Sequence, residues 1–113
     1  MAANSSLGVR INRKSGLVCV TITGEMDLSN AASFEPAGIL RQSDRRCPIH
    51  LDLTAVPYMD STALRRVLLL HKLARGAGVP LTVYLAPNSL VHRLMRVVGA
   101  TEVLNVMTVP MDA

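Results

Sequence analysis

The first dense apolar stretch, LVCVTIT at 17–23, is rich in β-branched residues and predicts a strand. A shorter strand over 9–12 can pair with it across a turn at 13–16. Gly24 then permits an unusual backbone turn, and Ser29 or Asn30 can cap a helix. Pro36 and Gly38 interrupt that helix, which predicts a kink or a restart near Glu35. PIHLDLTAV, from Pro48, reads as a central strand covered by helices. After Asp60, the spacing of Ala63, Leu64, Val67, Leu70 and Ala74 predicts a helix packed on the sheet and stopped by Gly76 and Gly78. PLTVYLA, at 80–86, is a further strand. Val91, Leu94, Met95 and Val98 fall at i, i+3, i+4, i+7 in a helix started by Pro87 or Asn88 and ended by Gly99. EVLNVMTV closes the series as a last strand.

The order is β-β-α-β-α-β-α-β. It predicts one α/β domain over 1–113, a mixed five-stranded sheet flanked by three helices, with residues 1–7 flexible. Leu51, Leu53, Leu64, Val67, Leu70, Val83, Leu94 and Val98 are the expected core. Half the residues are hydrophobic and 18% charged, enough apolar material for a folded domain. The longest apolar run, at 67–70, is too short to span a bilayer, and the first sixteen residues lack the apolar centre of a signal peptide. A cytoplasmic protein is expected. Cys19 and Cys47 lack CxxC spacing and are expected to be reduced, buried small hydrophobes rather than redox groups.

The net charge is +4, but the arginines are scattered and the aromatics are Phe34, Tyr58 and Tyr84. Direct nucleic-acid binding is not expected on that pattern; an acidic protein partner would use the same charge. His50, His71 and His92 share no metal-ligand spacing, and no GxSxG, Walker or HExxH motif occurs. Asp27, Asp52 and Asp60 fall at or near strand ends, where α/β sheets bind ligands. No base–nucleophile pair accompanies them, so neither an enzyme nor a cofactor is expected.

The junction MDSTALRR carries the most specific signal. Asp60 is a good helix N-cap, because its carboxylate can accept backbone N–H groups of the first turn. Ser61 then occupies about the first helical position, and with Thr62 it reads either as an ordinary first-turn polar residue or as a functional hydroxyl. Helical spacing from Ser61 sets Arg65, Leu68, Lys72 and Arg75 on one stripe, away from the core stripe. An exposed Leu68 between basic residues suits docking to an acidic partner; a surface helix with one stray leucine is the plainer reading.

GEMD after a strand, LDLTAVPYMDSTAL leading into a helix, and PNSLVHRLMRVVGATEVL together resemble the STAS domain of bacterial anti-sigma factor antagonists. The likeness runs over about 17–109. The resemblance implies a small sheet flanked by helices that binds a serine-kinase anti-sigma factor and releases a sigma factor for transcription. It implies phosphorylation at Ser61 as the off switch, a serine phosphatase that restores the protein, and Asp60 and Asp27 as the acids of the two turns. Thr62 stands for a second hydroxyl residue. Ala63 stands where glycine is usual, Arg65 where a small residue is common, and the C-terminal helix of many members is expected to be absent or very short. The contact expected with the partner comprises Ser61, Thr62, Arg65, Leu68 and Lys72, with Asp27 at its edge. Two other readings stand beside it. One is a STAS interaction module of a stress-signalling scaffold or lipid-transport ATPase complex, without a sigma-factor kinase. The other is a small-molecule or nucleotide binder at the Asp27/Asp60 end.

Overall fold

In the computed structural model, which describes residues 7–109, strand β1 (Gly8–Lys14) and strand β2 (Leu17–Thr23) form a hairpin closed by two residues. Both of these, Ser15 and Gly16, have positive φ (54° and 74°). That is the backbone a tight hairpin turn needs to match the strand twist. The strand is longer and the turn tighter than the expected 9–12 and 13–16. The rest of the chain alternates helix and strand: α1 (Pro36–Arg41), β3 (Ile49–Ala55), α2 (Ser61–Ala77), β4 (Leu81–Leu85), α3 (Leu90–Val97) and β5 (Val106–Thr108). The sheet runs β1-β2-β3-β4-β5, antiparallel in its first pair and parallel thereafter.

The register aligns Val20 with Leu51 and Leu51 with Val83, all fully buried. With Ile49, Leu53 and Leu85 they form one apolar face, which meets Val67 and Leu70 of α2 and Val91 and Met95 of α3 in the core. The alternate residues Cys19, Thr21, His50, Asp52, Thr54 and Tyr84 line a shallow concavity of about 340 Å³ on the other face. Among the described residues the helices therefore pack on one face of the sheet. Asp52 stands mid-strand on the open side, and its Oδ1 accepts from the Thr54 N–H and hydroxyl. Cys19 and Cys47 are free thiols, half-buried rather than buried.

The expected core holds at Leu51, Leu53, Leu64, Val67, Leu70 and Val83. Leu94 packs at its margin, half-buried. Val98 does not belong to it and is 55% exposed, because α3 ends at Val97 and the chain turns through Gly99 at φ 80°. Ser89, rather than Pro87 or Asn88, caps α3: its hydroxyl accepts the His92 N–H at 3.1 Å. Gly78 ends α2 in the left-handed conformation, whereas Gly76 lies inside the helix. The first predicted helix is a 3-10 turn (Ala31–Ser33) and then α1, restarting at Glu35 as its N-cap. The last strand is confined to Val106–Thr108, after a further 3-10 turn at Ala100–Glu102. Of residues 1–7, only Leu7 is described, and it packs half-buried against the core; residues 1–6 and the end of the chain after Val109 lie outside the described residues.

Candidate partner-binding site

The C-terminal ends of β2 and β3 are joined by their loops. Met26 and Met59, both buried, form a parallel bridge: the Met26 N–H donates to Tyr58 O (2.9 Å) and the Asp60 N–H to Met26 O (3.1 Å). Gly24, at φ 98°, turns the chain into this arrangement. Asn30, almost fully buried, holds the turn from within: its Oδ1 accepts the Asp27 N–H at 3.0 Å, and its amide donates to Glu25 O at 2.8 Å. Asp27 folds back on Ser29, accepting from both its N–H and its hydroxyl.

Asp60 ties this turn to α2. Its Oδ1 accepts the Ala63 N–H (3.0 Å), which caps the helix, and its Oδ2 accepts the Leu28 N–H (2.9 Å) from the neighbouring loop. One carboxylate thus satisfies two backbone donors on separate elements, as an N-cap with a second duty. Asp27 and Asp60 are both committed to protein donors, and neither lines the concavities beside α2.

Ser61 follows as the first residue of α2 and is exposed. With Leu64, Arg65 and Leu68 it forms one wall of a concavity of about 270 Å³; Val98, Gly99, Ala100 and Val103 form the other. A second concavity, of about 550 Å³, is lined by Thr62, Arg65, Arg66, Leu68, Leu69 and Lys72. Arg65 and Leu68 line both, so the two are continuous across the helix. The two arginines behind Ser61 have different tasks. Arg65 is exposed, whereas half-buried Arg66 donates to Phe34 O at 3.1 Å and straps α2 to the turn before α1.

The structure brings Ser61, Thr62, Arg65, Leu68 and Lys72 onto the two joined concavities, whereas Asp60 is joined to them only as the cap of α2 and Asp27 is turned onto Ser29 in the neighbouring loop. Leu68 differs from expectation: it is half-buried against the core, and Leu69 is the leucine exposed to solvent, at 44%. Sequence reasoning also missed Leu28, 75% exposed beside Asp60, and the wall at Val98 and Val103. Three consecutive leucines at 68–70 were the available signal, since one helical face cannot bury all three.

The five-stranded mixed sheet with a helix before each of its last three strands is a fold shared with known proteins. The family model described as "Mlab, STAS domain" matches residues 9–108, and the chain belongs to that family. The match begins earlier than the expected 17 and takes in β1. Solved structures with the same fold include an anti-sigma factor antagonist from Mycobacterium paratuberculosis. It has 18% identity and a TM-score of 0.79, over 99% of this chain and 93% of that one. A putative anti-sigma factor antagonist from Thermotoga maritima gives 16% and 0.71, over 92% and 88%. The Bacillus cell fate determinant SpoIIAA, in its phosphorylated form, gives 13% and 0.68, over 93% and 94%. At these identities the likeness is one of fold. No curated protein matches the chain. Among the described residues no helix is long and apolar enough to cross a membrane, and no group of three metal-ligating side chains occurs.

Proposed function

We propose that this STAS domain is an anti-sigma factor antagonist, a non-enzymatic interaction protein that engages a serine-kinase anti-sigma factor through the head of α2 and is switched off by phosphorylation of Ser61. The observation that carries this reading is the setting of Ser61: exposed, first in the helix, and on the wall of a largely apolar concavity. The phosphorylated state named for the SpoIIAA relative supports it. A phosphate adds about 1.5–2 negative charges near neutral pH. The helix N-terminus tolerates an anion there, and Arg65, one turn on, shares the concavity and can pair with it. Asp60 stands next to it, but its carboxylate is already committed to two N–H donors. The fold should therefore survive phosphorylation. Arg65 offsets only part of that charge, so an interface closing over the remainder would lose several kcal/mol, and each 1.4 kcal/mol is about tenfold in affinity. A serine phosphatase would restore binding.

A second reading, an interaction module of a stress-signalling scaffold or a lipid-transport ATPase complex without such a kinase, is favoured by the Mlab description of the family. Incubation with ATP and the serine-kinase anti-sigma factors of the source cell separates the two. One phosphate at Ser61, lost in Ser61→Ala, is expected. A protein left unmodified by every such kinase would move the assignment to the second reading.

A further inference from the structure

From Ser61 to Thr101 the chain contains no Asp or Glu, yet it carries Arg65, Arg66, Lys72, Arg75, Arg93 and Arg96. Acids are placed elsewhere, and the ion pairs among the described residues are Arg13–Asp44 and Arg41–Glu35, neither on α2 or α3. Arg65 and Lys72 are exposed with no carboxylate in ion-pair range among those residues. The same surface keeps apolar side chains in water: Leu69 at 44%, Val98 at 55% and Val103 at 55%. Leu68 joins them, since it lines the concavity on either side of it.

We infer that the strip formed by Leu69, Leu68, Val98 and Val103, bordered by Arg65 and Lys72, binds an amphipathic helix rich in Asp and Glu from the partner protein. The inference rests on the proposed function for the location of the interface and adds the chemistry of what occupies it. Apolar residues spaced along a helix would enter the two concavities, and its flanking carboxylates would meet the unpaired cations. A second copy of this chain would bring the same positive charge to the same place. Single-stranded nucleic acid would want aromatic platforms, and no aromatic side chain lines either concavity. A membrane surface would want a convex apolar ridge, whereas these residues line hollows. Ser61 shares a concavity with Val98 and Val103. A phosphate on it would stand among the incoming carboxylates while drawing Arg65 away from them, so repulsion would add to desolvation.

The probe is a synthetic amphipathic helix with leucines at i, i+3, i+4, i+7 spacing and glutamates between them. Its lysine counterpart, phosphatidylglycerol vesicles and a single-stranded oligonucleotide serve as competitors. In amide spectra of the labelled full chain, the acidic peptide should perturb the signals of Leu68, Leu69, Val98 and Val103 and leave β1 and β2 unmoved. Leu69→Glu or Val98→Glu should weaken it about tenfold or more without changing the melting temperature, and added salt should weaken it further. Perturbations on the open sheet face, none at all, or tighter binding of a competitor would overturn the inference. Phosphorylation of Ser61 in a protein whose strip ignores the acidic peptide would leave the switch standing and remove this inference. Peptide binding to the strip that is insensitive to Ser61→Asp would support the strip and remove the switch.

Discussion

The turn at 24–30 and the outer face of α2 lie side by side at Asp60, yet they are built on opposite principles. In the turn, polar groups are spent on one another: Asp27 on Ser29, Asn30 on Asp27 and Glu25, Asp60 on Leu28 and Ala63. On the outer face, Arg65 and Lys72 are exposed and unpaired among the described residues, and Leu69 faces water. The first arrangement fixes geometry and leaves little with which to bind. The second holds unused charge and apolar area on a helix the first has already immobilised. Affinity gains most when the binding surface is ordered before the partner arrives, because its ordering entropy is not then charged to association.

The largest expected effect comes from the inner side of that same helix. Val67 is fully buried between α2 and the sheet. Val67→Asp should abolish cooperative unfolding, because an unpaired carboxylate there cannot be solvated or matched. A circular-dichroism melt like wild type would show that α2 does not pack as described, and the contrast between its two faces would fall with it.

Asp60 comes next. Asp60→Ala removes the cap and strands the Leu28 N–H, costing about 1–2 kcal/mol for the cap and about 1 for the second bond. In a domain near this size, each kcal/mol lowers the melting temperature by roughly 4–8 °C. Asp60→Asn should fall between, since an amide oxygen can cap α2 while its NH₂ cannot accept from Leu28. Equal melting of the alanine and asparagine variants would remove the bridging role and reduce Asp60 to a surface acid.

The adjacent arginines sharpen the contrast further. Arg66→Ala should lower stability by about 1 kcal/mol, because Phe34 O loses its donor beneath a half-buried side chain. Arg65→Ala should leave it within about 0.5 kcal/mol. Binding should follow the reverse order. If Arg65→Ala destabilised more than Arg66→Ala, the assignment of one as strap and the other as contact would be inverted.

The element order was readable because the second and third helices carry apolar stripes and the connections their own Gly, Pro or capping residues, as at Asp60 and Gly78. Asp60-Ser61 was readable for the same local reason: a capping residue sets the helical position of its successor. The failures are positional. Leu68 and Leu69 differ by about 100° of helix rotation, and only the tilt of α2 on the sheet decides which faces water. Val98 continues the stripe of α3 in sequence, but the helix stops one residue earlier, and a period cannot reveal its own end. The one-sided sheet is written in the alternation of Ile49, His50, Leu51, Asp52 and Leu53, which a continuous apolar strand would lack. The strap from Arg66 to Phe34 joins residues 32 positions apart, beyond the reach of any local pattern.

The smallest expected effect on stability is the most informative for function. Asp60, not Ser61, supplies the cap of α2, and Ser61 stands exposed. In Ser61→Asp, the new carboxylate gains from the helix dipole and from Arg65 while feeling Asp60 beside it, and these effects oppose each other. The melting temperature should therefore stay within what about 0.5 kcal/mol allows, with a slight dependence on salt. On the proposed function, partner binding should fall by far more. A melt lowered as much as by Asp60→Ala would place Ser61 in the frame with the turn, and the site would no longer separate into a part that holds and a part that binds.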